Sequence, residues 1–157
     1  MIYLSKHQPC EDIMSVSLAL YKGKGNWVNS LIRWQNQSPY SHCELIVDGW
    51  MYSSTVHDGG VRCKLQTYLR EEDWEIIPIK FNNGESILKH YVDTKDHPYG
   101  WRDLFQTQVF GRRTADDKGD FCSEWCLAAL GLDSPSSYKI HQVKGIVEWA
   151  NSLYPQT

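Results

Sequence analysis

No stretch of the sequence is long and apolar enough to span a bilayer, which takes about 18 consecutive apolar residues. The N-terminus, Met1–His7, has no basic leader followed by an apolar run. No secretory signal is therefore expected, and a cytoplasmic setting follows, or release by lysis. Charge of one sign is lacking too: 16 Lys and Arg stand against 19 Asp and Glu, a net −3. A dedicated nucleic-acid binder usually carries a basic stripe, so no nucleic-acid partner is expected. The balance gives no argument for a membrane surface either. Cysteine is sparse and odd in number, five, without the compact spacing of a disulfide framework. At least one thiol is free, and reduced chemistry is the simpler reading. No Cys-x-x-Cys pair exists, and the neighbours His42 and Cys43 point to opposite faces of a strand, so no metal site is expected. Lys22-Gly23-Lys24-Gly25 lacks the pattern of a phosphate loop and reads as a turn. Nothing implies a cofactor. Internal repeats and low-complexity tracts are absent.

What is present is core material. Seven Trp, nine Tyr and four Phe in 157 residues argue against disorder. The length suits one domain over residues 1–157 that buries roughly two-thirds of its unfolded surface. Val16–Tyr21 alternates and reads as a strand. Asn26 can cap a helix carrying Trp27, Leu31 and Trp34 on one face. His42–Val47, Trp50–Val56 and Val61–Leu65 read as an antiparallel meander, turned at Asp48-Gly49 and at His57–Gly60. Trp74–Phe81 reads as a further strand, and Pro78 suggests an edge position. The second half is helical. Asn83 can cap a helix through Val92 with Ile87, Leu88, Tyr91 and Val92 inward. A short helix is expected around Trp101–Gln108 and a charged loop over Gly111–Asp120. A helix over Cys122–Leu130 closes at Gly131. A last helix, about Gln142–Leu153, turns Val143, Ile146, Ala150 and Leu153 inward. Strands followed by helices, without βαβ alternation, indicate an α+β fold.

The strongest chemical feature is Asp120-Phe121-Cys122-Ser123-Glu124-Trp125-Cys126. Asp120 can serve as the cap, which places Cys122 in the first turn among amides without helical partners. That setting favours the thiolate, the reactive form of cysteine. The helix terminus contributes only about 0.3–1 kcal/mol. Since one pKa unit is about 1.36 kcal/mol, the dipole alone lowers the thiol by less than about one unit. A reactive Cys122 also needs an imidazolium nearby. The plain alternative is burial: Cys122, Trp125, Cys126, Ala129 and Leu130 share one apolar face, and cysteine is a common small core residue. Cys126, one turn further in, is the weaker nucleophile. Glu124 fits the helix start on dipole grounds alone.

His42 opens a strand directly after the polar segment Gln35–Ser41. A side chain there is held by the sheet yet stays near the surface, as a general base requires. A partly buried structural histidine is the alternative. His57, in a Gly-rich turn, reads as solvated, and His90, mid-helix, as exposed. The paired carboxylates Glu71-Glu72 and Asp116-Asp117 read as surface.

The run of a strand, a Gly-bearing loop, a tryptophan-containing helix, Ser41-His42 opening a strand, Tyr99-Gly100, then Phe121-Cys122-Ser123-Glu124 at a helix start resembles the circularly permuted papain-like hydrolases. These are the permuted relatives of NlpC-type cell-wall peptidases, with lecithin–retinol acyltransferase as a distant cousin. The resemblance runs from about Asp12 to Leu132. It implies a circularly permuted papain-like fold, an antiparallel sheet packed against a cysteine-bearing helix, with Cys122 as nucleophile and His42 as base. It also implies a polar residue on the following strand, Trp50–Ser54, to orient the imidazole. The best-aligned positions, Ser53 and Ser54, carry no charge to stabilise an imidazolium. Glu44 is a second candidate, two along from His42 on the same strand face; a salt-bridged or solvated carboxylate is its plain alternative.

The mechanism implied is attack by the Cys122 thiolate on a carbonyl, proton return by His42, and an acyl-enzyme passed to water or another acceptor. The Cys122 amide can help bind the oxyanion. Trp27, Trp34, Tyr40, Tyr99 and Trp101 either line a cleft or fill the core. Three readings follow. One is a cysteine peptidase or amidase cleaving a peptide or isopeptide bond, including cell-wall types. The second uses the same pair on ester, thioester or lipid acyl groups. The third is a binding module with a decayed triad, favoured by the missing acidic orienter. The absence of an export signal and of a basic wall-binding module counts against a cell-wall role. The partner is a peptide-like or acyl substrate; nothing in the sequence fixes its identity or the oligomeric state.

Overall fold

The computed structural model describes residues 14–98, 121–132 and 139–154. Five strands come first: β1 (Val16–Tyr21), β2 (His42–Val47), β3 (Trp50–Thr55), β4 (Gly60–Leu65) and β5 (Trp74–Pro78), with helix α1 (Trp27–Asn36) between β1 and β2. Three helices follow: α2 (Glu85–Thr94), α3 (Cys122–Ala129) and α4 (Ile140–Ser152). The strands form one antiparallel sheet in the order β4-β3-β2-β1-β5. The architecture is α+β, with β5 and its Pro78 at an edge, where a residue without an N–H does least harm to the ladder.

Both faces of the sheet are covered. Alternation sends Val16, Leu18 and Leu20 of β1 and Cys43, Leu45 and Val47 of β2 to one face, where they join Trp125, Cys126, Val143 and Val147 in the main core. There α3 lies on β2 and β3, α2 beside α3, and α4 over β1. The opposite face holds a smaller cluster, Ala19, Ile46 and Met51, covered by Leu69 and Trp74. This double cover explains why β2 reads as an almost continuous buried run rather than a strict alternation. Each large side chain removed from water there contributes roughly 1.5–3 kcal/mol.

Local signals account for the connections. Asp48 and Gly49 both take positive φ, 46° and 81°, the backbone that a two-residue hairpin turn demands. Asn26 Oδ1 accepts the Asn29 amide at 3.2 Å and so caps α1. Asn83 is not the cap of α2: Gly84 takes that position in the left-handed region, while Asn82 and Asn83 accept the amides of Gly84 and Glu85 just ahead of the helix. The expected short helix around Trp101–Gln108 and the loop Gly111–Asp120 lie outside the described residues.

Three helical positions expected inside face out. Trp34 is 77% exposed, Val92 62% and Leu153 59%. Periodicity sets which residues share a face, while the neighbouring sheet sets how wide the covered stripe is. Among the described side chains, Ile32 of α1 and Ile140, Val143 and Val147 of α4 meet the core. His90 is half-buried rather than exposed, its ring 5.2 Å from that of Trp125. No helix among the described residues is long and apolar enough to cross a membrane.

Candidate functional site

Helix α3 begins at Cys122. The capping position is held by Phe121, with no side-chain cap bond; Asp120, expected there, lies outside the described residues. The first helical bond runs from the Trp125 amide to the Phe121 carbonyl at 2.8 Å, so the amides of Cys122 and Ser123 have no partner within the helix. The far end is closed by Gly131 at φ 73°. Its amide reaches Ala128 at 2.9 Å and the Leu132 amide reaches Leu127 at 3.0 Å, a paired closure that fixes the register of the whole helix. Trp125, fully buried, donates from its indole nitrogen to Thr94 Oγ1 at 2.8 Å and anchors α3 to α2.

The other half of the site comes from the sheet. β2 pairs with β1 along its whole length, down to Tyr21 opposite His42. Its ladder with β3 stops earlier, at Leu45 opposite Tyr52, although β3 continues with β4 as far as Thr55 opposite Gly60. The two strands fork there. Ser53 bridges the fork through its hydroxyl, which donates to the Cys43 carbonyl at 2.8 Å. The start of α3 is set against this opening. The Cys122 sulfur interacts with the Cys43 thiol and backbone amide and with the His42 imidazole.

His42 is positioned by three neighbours. Its Nε2 lies 2.9 Å from Glu44 Oε1. Trp74 presents its ring edge-on at 6.3 Å. The preceding Ser41 amide is tied to the Tyr21 carbonyl at 3.0 Å. With Nε2 held by the carboxylate, Nδ1 is the nitrogen left for the sulfur. Glu44 is fully buried, at 0% exposure. A carboxylate so placed needs charged partners. It has two, the imidazole and the guanidinium of Arg62, whose Nη2 donates to the same Oε1. Arg62 reaches Asp58 Oδ2 at 2.8 Å, and Lys64 donates to both Asp58 oxygens at 2.9 and 3.0 Å. Burial pushes the Asp58 carboxyl up, but the bonds from Lys64 and Thr55 outweigh it and hold the group below its ordinary value.

The electrostatics favour a charged pair. Burial opposes an imidazolium at His42, but the Cys122 sulfur and then the Glu44 carboxylate outweigh it and push the ring up to about 10. Cys122 is held well below the ordinary thiol range, first by the hydrogen bond from Cys43, against its own burial, and then by the charge of His42. A thiolate beside an imidazolium is the nucleophilic state of a cysteine.

Of the residues expected to form the site, Cys122, His42 and Glu44 are brought together. Ser54 makes no bond to the imidazole: among the described residues its buried hydroxyl has no hydrogen-bond partner, and alternation turns it to the face opposite that of Ser53. The imidazole is therefore oriented from its own strand rather than from the next one. Cys126 is fully buried one turn in, its sulfur 3.9 Å from that of Cys43. Of the aromatics proposed as cleft lining, Trp34 is exposed and Tyr40 is buried; Tyr99 and Trp101 lie outside the described residues, and so does the Tyr99-Gly100 pair. An open cleft of about 320 Å³ lies on the His42 and Glu44 side of the sheet, and its aromatic walls are Tyr21 and Trp74.

Sequence reasoning missed Arg62 and Cys43. One signal pointed to Arg62: an acid in the apolar run Cys43–Val47 requires a buried cation, and an arginine stands between Val61 and Cys63 in β4, one strand beyond β3. Among the described residues, no group of three or more His, Cys, Asp or Glu side chains is placed to hold a metal ion. Compared with family models, curated proteins and solved structures, the chain matches none.

Proposed function

We propose that this protein is a thiol hydrolase of the circularly permuted papain-like kind, cleaving an amide bond through an acyl-enzyme. The observation that carries the reading is the three-residue line at the end of the fork: Cys122 at a helix start, His42 against its sulfur, and buried Glu44 on the far ring nitrogen. The thiolate attacks the carbonyl carbon. Developing charge on the oxygen meets the Cys122 backbone amide, which has no partner within the helix. His42, held as an imidazolium, gives its proton to the leaving amine and later takes one from water. Glu44 fixes the tautomer and balances the ring's charge, the role an acid or amide plays in thiol and serine triads. An acidic orienter removes the main ground for a decayed binding module.

The same groups serve an ester or thioester, which differs in the leaving group and not in the nucleophile. Peptide-amide and acyl-ester panels distinguish the two. Cys122→Ala is expected to abolish turnover of the true substrate, a fall of about 10³-fold or more when a nucleophile is deleted. Alkylation with iodoacetamide is expected to label Cys122 in untreated protein below pH 8, ahead of Cys63. Turnover that survives Cys122→Ala would refute the assignment.

A further inference from the structure

Three thiols meet inside this molecule. Cys122 and Cys126 are one helical turn apart, so their side chains leave α3 on the same face. Cys43 comes from β2 on the facing surface of the sheet, its sulfur 3.9 Å from that of Cys126 and near enough to that of Cys122 for the two to interact. All three are buried, and none is in a disulfide. Hydrolysis uses only Cys122. Cys43 is a second, non-catalytic thiol beside the nucleophile.

We propose that Cys122 and Cys43 form a reversible disulfide when a peroxide oxidises the nucleophile, so that the site closes by oxidation before it is destroyed. The inference rests on the reactive thiolate of the functional reading, not on its substrate. In the first step the Cys122 thiolate attacks one peroxide oxygen. The O–O bond breaks, the attacked oxygen stays on sulfur with its hydrogen so that Cys122 becomes a sulfenic acid, and the other oxygen leaves as hydroxide and takes up a proton to become water. In the second step the Cys43 sulfur attacks the Cys122 sulfur. An S–S bond forms, the S–O bond breaks, and water leaves with the Cys43 proton. In sum two thiols lose two electrons and two protons, and one peroxide becomes two waters.

Geometry selects Cys43 over Cys126 as the second thiol. Two cysteines a turn apart on one helix project side by side, which suits a disulfide poorly. Cys43 approaches from across the helix–sheet interface. The electrostatics change in the required direction during the reaction. Before oxidation, its hydrogen bonds to Cys122 and Cys126 hold the Cys43 thiol well above its ordinary value. The sulfenic acid is neutral, so the negative charge of Cys122, one of the causes that retain the Cys43 proton, is gone when the second step begins; the hydrogen bond to Cys126 and burial remain. Cys63, on β4 and outside the cluster, keeps its thiol and serves as the internal control.

The test is peroxide titration of the intact protein, read by mass spectrometry. Expected are an intact mass lower by two hydrogens, a peptide pair linking Cys43 to Cys122, and full recovery of Cys122 alkylation after dithiothreitol. In Cys43→Ser, Cys122 is expected to pass on to sulfinic acid several-fold faster and not to recover; Cys126→Ser is expected to behave as wild type. A wild type that goes to sulfinic acid with no linked peptide, or that links Cys43 only to Cys126, overturns the proposal even if Cys43→Ser does not fold. The functional reading fails separately, when Cys122 of untreated protein alkylates no faster than Cys63.

Discussion

At the scale of single residues the site is an acid-base argument in which burial opposes charge and partners reverse the outcome. His42 is the clearest case, since the neighbouring sulfur and carboxylate carry it from 6.5 up to about 10 against its desolvation. The thiolate–imidazolium pair exists between the lowered titration of Cys122 and the raised one of His42. The expected profile of kcat/KM is therefore a broad plateau through neutrality whose alkaline limb falls near pH 10, measurable on any turned-over substrate. Stability follows the same groups. A raised histidine stabilises fully below its ordinary 6.5, and that contribution disappears as pH rises through about 10. A lowered cysteine works the other way, stabilising above its ordinary value and losing that contribution as pH falls through the folded one. Glu44→Gln separates charge from shape. It keeps the hydrogen bond but removes the charge, so the alkaline limb is expected to move toward neutrality and kcat/KM to fall about 10–100-fold, about 1.4–2.7 kcal/mol of barrier. It also leaves Arg62 with Asp58 as its remaining carboxylate. Chemical denaturation is expected to report roughly 1–3 kcal/mol lost, the range for a buried group deprived of its partner. An unchanged limb would remove Glu44 from the mechanism.

At the scale of elements the question is what aims α3 at the fork between β2 and β3. Its register is held at the far end by the closure at Gly131 and from the side by Trp125. Space does not explain the glycine, since an added Cβ would meet nothing within 4 Å. The positive φ does. Gly131→Ala is expected to cost about 1–2 kcal/mol, the left-handed penalty of a Cβ, seen as a lower Tm with alkylation of Cys122 slowed only in proportion to the unfolding. Much of this level was legible. The limits of β1 follow from alternation, and Asp48-Gly49 and Gly131 announce their turns. The pairing of Cys122 with His42 was legible only through resemblance, because no local rule connects a helix start to a distant strand. Glu44 could be placed on the face of His42 but not chosen over Ser54, since spacing of two gives the face and not its occupant. Arg62 reaches Glu44 across β3, a neighbour relation that exists only once the strand order is known.

At the scale of the whole molecule the C-terminal helix holds the sheet edge and, through it, the approach to His42. α4 packs over β1 and is tied to β5 in two places. Near its middle Lys144 donates to Glu75 Oε1 at 2.6 Å and to the Tyr40 hydroxyl at 3.2 Å, while Tyr40 donates to the other oxygen of Glu75. Near its end Asn151 accepts the Lys80 amide at 2.9 Å and donates to the Pro78 carbonyl at 2.7 Å. Tyr40 stands two residues before His42, so the first tie joins the last helix to the loop that leads into His42. Lys144 holds Glu75 below its ordinary carboxyl value, with Tyr40 adding to the effect. Both charged side chains are partly exposed, 26% and 33%, so the pair is worth the modest amount of a solvated bridge. Lys144→Met is expected to lose about 0.5–1 kcal/mol at low salt. The gap should shrink in 1 M salt, where the screening length is about 3 Å. It should also narrow as pH falls below the ordinary 4.5 of Glu75, because a lowered carboxyl stabilises only while it stays ionised. Paired melts of wild type and variant across salt and pH measure all three. A gap that is large and indifferent to salt would mean that the lysine stem, packed along Tyr40, holds the helix by contact rather than by charge.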